Sequence, residues 1–254
     1  RFPLEGQGVL VIGPNRVFLT YIEQVLPSLG EAGVRLAVLS DLIPRAKVRG
    51  YDIERIAAIK GRNSMKDVVR KAIQDRQRPL RKNLRIGYGL QRLNLTVEQS
   101  EEIVREGQRR YKRHNSARDF VRDQVFQKLA ESSKHQSLNP EKLKNDLAST
   151  LDMRKTLEWM WPSLSAEHLI HDLFGSRALL QSAAASFFTD EDIEALYRSR
   201  SLHALEVEWT SDDVPILDEA QAQLGPRAGY KEEETIRTYG HIVVDEAQDL
   251  SPME

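Results

Sequence analysis

Residues 239–254 read YGHIVVDEAQDLSPME, and the order of residue types within them decides how the chain is read. Ile242, Val243 and Val244, led in by His241, run straight into Asp245 and Glu246, with Asp249 close behind. A short β-branched run of this kind is the pattern of a strand buried in a parallel sheet. Ligands of such sheets bind beyond the carboxyl ends of the strands, so this strand predicts an acidic edge facing a ligand. Successive side chains of an extended strand leave in different directions. Asp245 and Glu246 can therefore serve different tasks, one holding Mg²⁺ through its waters and the other facing a water near a nucleotide γ-phosphate. Magnesium takes oxygen ligands and keeps several waters, so one or two carboxylates suffice. Phosphoryl transfer asks for a positioned base and charge stabilisation more than for covalent chemistry. That is the work of a Walker B strand. The competing reading is a strand whose last residues are merely solvated.

The other end of the chain matches this layer. Residues 6–39, GQGVLVIGPNRVFLTYIEQVLPSLGEAGVRLAVL, read as strand, helix, strand. Val9–Ile12 is a continuous apolar run expected to be covered on both faces, and Gly13 and Pro14 end it. Val17, Phe18, Tyr21, Ile22, Val25, Leu26 and Leu29 recur at helical spacing. Pro27, Gly30 and Gly33 mark the exit, and Val34–Leu39 reads as the next strand. The unit is a βαβ crossover, expected to be right-handed.

Between about Ile43 and Leu205 the alternation is lost and helical periodicity takes over. Met65, Val68, Val69, Ala72 and Ile73 share one face, as do Phe120, Val121, Val125, Phe126 and Leu129. Thr96 and Gln99 stand at capping-box spacing. Residues 139–162 read as a helical stretch opened by Asn139-Pro140 and closed by Pro162. Helical segments are expected to end at Gly175 and to start at Thr189. The one extended piece, residues 83–95, carries Gly87 and Gly89 and reads as a short hairpin. His168 and His171, with Glu167 and Asp172 beside them, read as a polar helix face in preference to a metal site, for want of a third ligand. Trp159, Met160, Trp161, Phe187 and Phe188 read as core.

The fold class that follows is α/β, a partial RecA-like parallel sheet interrupted by a large, mostly α-helical insertion. The segments are 1–43, then the insertion 44–205, then the return to the sheet over 206–254. The chain is 40% hydrophobic and 30% charged, with no cysteine, which excludes disulfides and thiolate metal sites and points to the cytoplasm. No apolar run is long enough to span a bilayer, and no signal-peptide pattern is present. The net charge of −1 hides an asymmetry. Residues 45–115 hold twenty Lys or Arg against eight Asp or Glu, a surplus of twelve positive charges, which leaves −13 for the rest. Such a block faces a polyanion or an acidic partner, or else is a solvated basic surface. The residues carried forward as contacts are Arg81, Lys82, Arg85, Arg109, Arg110, Lys112 and Arg113.

The string VVDEAQD resembles motif II of superfamily 1 helicases and related nucleic-acid motors. On that resemblance Asp245 is the Mg²⁺ ligand, Glu246 the general base, and Gln248 the residue coupling nucleotide state to the motor. Three stretches resemble a narrower family, the HelD group of bacterial RNA-polymerase-associated motor ATPases. They are VLVIGPNRVFLTYIEQVLPSLGE, EWTSDDVPILDEAQAQLG and YGHIVVDEAQDLSPM, about a quarter of the chain. The helical block fits the insertion those proteins carry in their first RecA-like domain, although no residue-by-residue match extends through it. The resemblance implies ATP and Mg²⁺ as cofactors, RNA polymerase core as partner, and an insertion that reaches into the polymerase primary channel. Asn15 and Phe18 match the place where related motors touch single-stranded nucleic acid, and Phe18 equally fits a packed helix face. One departure counts against a complete active site: no G-x-x-x-x-G-K-[ST] occurs, and GPNRVF lacks the lysine. The expectation is a piece of a longer motor, starting after the P-loop and stopping after motif II, with no ATP turnover of its own and no tightly bound cofactor. Two rivals stay open. One is a DNA helicase of the helicase IV kind, whose basic block would follow phosphates. The other is an interaction module without catalysis.

Overall fold

The computed structural model describes residues 8–25, 34–43, 47–133, 137–201, 204–230 and 238–253. Leu26, Pro27, Leu29, Gly30 and Gly33, read above as the end of the first helix, lie outside the described residues. The fold is mixed α/β, with eleven α-helices among the described residues and a three-stranded parallel sheet. The chain forms two compact units. The first comprises residues 1–69, 166–221 and 236–254, and the second residues 70–165 and 222–235. The division differs from the segments read from the sequence, because residues within 44–69 and 166–205 group with the sheet.

In the first unit β1 (Val9–Ile12), α1 (Arg16–Val25) and β2 (Val34–Ala37) form the expected strand–helix–strand. β1 is central. It pairs in parallel with β2, Val9 opposite Val34, and with β5 (His241–Val244), Val9 opposite His241 and Ile12 opposite Val244. Gly13 permits the sharp turn from β1 into α1, since a Cβ there would lie 2.7 Å from Leu19 Cδ2. The apolar faces read from the sequence are only partly covered. Leu10, Ile12 and Leu19 are buried, but Val17 is 82% exposed and Tyr21 65%. β5, read as a buried strand, is exposed along its whole length. It is an edge strand that pairs only with β1 among the described residues, so its side chains lack the neighbours a central strand has.

The rest of the first unit is helical: α2 (Glu54–Lys60), α8 (Ala166–Phe174), α9 (Arg177–Ala184) and α10 (Asp190–Leu196), with α3 (Met65–Gln74) and α11 (Val214–Leu224) running out of it. Thr189 caps α10 by accepting from Asp192 N. Glu167 and His171 do not form a solvated polar face. Both are buried, with His171 Nε2 3.1 Å from Ser201 O. Phe188 is core as expected, whereas Phe187 is 42% exposed.

The second unit contains the hairpin β3 (Leu84–Tyr88) and β4 (Gln91–Leu95), then α4 (Val97–Arg110), α5 (Arg118–Glu131), α6 (Pro140–Leu147) and α7 (Leu151–Met160). The hairpin turns on Gly89 and Leu90, with Gly89 at φ 60, a region that glycine enters without steric cost. Thr96 and Gln99 form the predicted capping box on α4. The stretch expected to be helical from Asn139 to Pro162 is two helices. Leu147 O accepts both Thr150 N (2.9 Å) and Thr150 Oγ1 (2.7 Å), a local turn that competes with the helical ladder. The hairpin and these helices enclose one large core, with Phe126, Leu129, Met153, Met160 and Trp161 essentially buried.

Candidate functional site

The acidic edge is built from the ends of β1 and β5. The ladder continues one residue past β5, where Asp245 N donates to Ile12 O at 2.9 Å. The next residue, Glu246, turns the chain sharply. At φ 51 it is the one non-glycine with positive φ among the described residues, an uncommon conformation that merits attention near a site. Ala247–Asp249 then forms a 3-10 turn closed by Asp249 N donating to Glu246 O at 2.9 Å. Gln248 Nε2 donates to Glu246 Oε2. Asp245 is half-buried, while Glu246 and Gln248 are exposed. The three residues read as a motif are thus local neighbours, with one Glu246 oxygen held by Gln248.

Asn15 leaves the same carboxyl edge from the adjacent strand. It caps α1, its Oδ1 accepting from Phe18 N at 2.9 Å. Phe18 is half-buried against Gly13, so the packing reading of this residue has a structural basis. Arg16 pairs with Asp41 at 2.6 Å, tying the start of α1 to the turn after β2. After the motif, Met253 N donates to Gly61 O at 3.2 Å, and a Cβ on Gly61 would lie 2.7 Å from Ser251 Cβ. The segment following the acids is therefore seated on the end of α2.

α2 is itself anchored by a buried ionic cluster that sequence reading missed. Lys60, 4% exposed, lies 2.5 Å from Asp52 and 2.7 Å from Asp213, which is fully buried. Arg198 pairs with Asp213 at 2.8 Å, and Thr210 Oγ1 donates to Asp52 at 2.6 Å. Burial alone would raise the Asp213 pKa, but the Lys60 and Arg198 charges hold it below the usual carboxylate value. Four separated sequence segments converge here, so no local spacing gave a signal. The stretch TSDD within the family-like region works in this anchor, not at the acidic edge.

The basic residues singled out from the sequence belong to the second unit and fall into two groups. Arg109 and Arg110, in the last turn of α4, are both answered by Glu106. Arg110 also stacks over Phe120, its guanidinium carbon 5.1 Å from the ring centre. Lys112 and Arg113 are exposed, and Arg113 packs along Gly225. Arg81, Lys82 and Arg85 instead line an open groove of about 920 Å³, together with Lys155 and Trp159 of α7. Lys155 and Trp159 were not foreseen as groove residues, although their i, i+4 spacing places a cation and an aromatic ring on one helix face.

Among the described residues no group of three or more His, Cys, Asp or Glu is arranged to hold a metal ion, His168 and His171 included. No helix of the described residues is long and apolar enough to cross a membrane. Comparison with protein-family models and with curated proteins finds no match for this chain.

Proposed function

We propose that this chain is the acid-bearing part of a RecA-like motor domain in a cytoplasmic, HelD-like superfamily 1 ATPase. That ATPase binds RNA polymerase and uses ATP to release or recycle it when stalled. The observation that carries the reading is the joint between β5 and the turn that follows. An aspartate continues the ladder at the carboxyl edge of a parallel strand. A glutamate in a left-handed turn comes next, and a glutamine is bonded to it. Asp245 would hold magnesium, and its oxygens suit that hard cation. Bound magnesium supplies neutralisation of developing phosphate charge. Glu246 would accept the proton of the attacking water at the carboxylate oxygen that Gln248 does not hold. ATP itself finds no phosphate cradle in this chain, which has no P-loop sequence, so the cradle has to come from elsewhere in the working protein.

The test is ATP hydrolysis by the full-length protein with Glu246→Gln. The expected loss is about two to four orders of magnitude in turnover with nucleotide binding retained; near-normal turnover overturns the assignment. The chain alone is expected to show no hydrolysis above its own Glu246→Gln control. The partner is tested by capture of purified core polymerase across a salt series with competing DNA. A protein interface with an apolar core should hold where phosphate-dominated binding fails. Failure to capture polymerase removes the partner but leaves the ATPase test standing.

A further inference from the structure

The groove in the second unit is set apart by gathering several cations without ion-pair partners into one concavity. Several basic side chains elsewhere in this unit have acids beside them: Lys71 with Asp75, Arg118 with Glu158, Lys128 with Glu131, Lys144 with Asp123. Among the described residues Arg81, Lys82, Arg85 and Lys155 have no ion-pair partner, and Asp152 is the one acid lining the groove. An uncompensated cluster in a shared concavity repels itself and is relieved by an anion.

The groove also has a flat floor. Trp159 is half-buried, and its indole Nε1 donates to Pro79 O at 2.9 Å, which fixes the ring. The Arg81 guanidinium carbon lies 4.2 Å from the Trp159 ring centre, and that of Arg78 lies 4.8 Å away. Arg78 is held below the usual arginine pKa by burial first and then by Arg76 and Arg81, as expected where positive charges crowd without enough counter-charge. The hairpin extends the positive charge beyond the groove by one residue, Arg92. Ile86, Leu93 and Leu95 face the core, which leaves Arg85 and Arg92 on the outer face. Arg92 stands opposite Gly87, so no side chain faces it directly across the pair.

We propose that this groove is a binding site for single-stranded nucleic acid, with phosphates on Lys82, Arg85 and Lys155 and a base stacked at the Trp159–Arg81 platform. Cations alone would suit any polyanion. The fixed indole plane with a guanidinium beside it favours a ligand with flat, unstacked faces, which a single strand offers and a duplex or an acidic peptide does not. The site uses side chains of the second unit only, so it stands or falls apart from the ATPase reading.

The test is fluorescence anisotropy with a labelled oligothymidine of about twelve nucleotides, a length within single-strand site sizes, on the whole chain. Binding should weaken with salt with a log–log slope of about −2 to −3, for three or four phosphates neutralised. Arg81→Glu combined with Arg85→Glu should weaken it at least about tenfold, whereas Lys142→Glu combined with Arg105→Glu, the same charge change on α6 and α4 outside the groove lining, should cost less than about twofold. Trp159→Leu should weaken binding about tenfold and Trp159→Phe much less. The exposed arginine pair keeps the test decisive if Trp159→Leu does not fold. The proposal is overturned by no binding at low salt, by equal losses in the control with Lys142 and Arg105 changed, by tighter binding of a duplex of the same length, or by equal competition from polyglutamate. The last outcome would mark the groove as a surface for an acidic protein.

Discussion

Among the described residues Leu10, Ile12 and Ala37 form the buried apolar cluster on the parallel sheet, whereas seventeen, from Leu80 to Trp161, form the core of the second unit. Motif content runs the other way. The sheet carries the one stretch with a clear chemical reading, while the densely packed unit carries no motif at all. The difference has a physical basis. An acid that is to meet a ligand has to be reachable from outside, and an edge strand has few neighbours to bury it. Ile242, Val243 and Val244 are 52%, 42% and 37% exposed, so they contribute little burial within this chain. An apolar edge strand of this kind is a surface that pairing or covering by another element would stabilise. The helical unit has no such constraint, and its amphipathic faces close on one large core.

The sharpest way to break this comparison is to truncate one side chain in each region. Phe126→Ala removes a ring that is 1% exposed and should cost about 3–5 kcal/mol. Val243→Ala, on the open strand, should change stability by no more than about 0.5 kcal/mol. Denaturant-dependent hydrogen exchange of α5 and β1 amides measures both. Comparable losses at the two positions would mean that the sheet is better packed than its exposure indicates.

Acid is the next lever, and it acts on the second unit. His114 is 3% exposed and stacks on Trp161 with ring centres 5.1 Å apart. Gln77 Nε2 lies 3.1 Å from its Nδ1, and its Nε2 lies 2.7 Å from Pro162 O. An amide donor on one nitrogen and a carbonyl acceptor at the other satisfy the neutral ring. Burial, the largest cause, lowers its pKa from 6.5 to about 4, against the raising effect of the Pro162 carbonyl. The unfolded chain therefore binds the proton first as pH falls. The stabilisation is whole above pH 6.5, declines through the window between 6.5 and 4, and is spent below it. The full loss is about 3 kcal/mol. Exchange rates of α4 and α5 amides against pH should show this slope, and His114→Gln should flatten it.

The smallest effect probes a local signal. Thr96→Ala removes the capping hydroxyl from α4, whose Oγ1 accepts from Gln99 N at 3.2 Å, and should cost about 1 kcal/mol. Faster exchange confined to the first turn of α4 is the expected readout, and a loss spread over the whole unit would show that the cap organises more than its own helix.

Local rules fixed much of this molecule. The β-branched run Val9–Ile12, the capping box at Thr96, the cap at Thr189 and the glycine turn of the hairpin could each be read in sequence, because each depends on residues a few positions apart. So could the acid pair after Val244, since the strand and its acids are contiguous. What contiguity cannot convey is which faces are covered. The stripe of Val17 and Tyr21 has helical spacing yet lies open, and His171 has a polar neighbourhood in sequence yet is buried. Tertiary structure alone brought Asp52, Lys60, Arg198 and Asp213 together, and it alone placed Arg81 over Trp159. Such contacts join residues far apart along the chain, and their energies depend on burial and on distance through space, neither of which sequence spacing encodes.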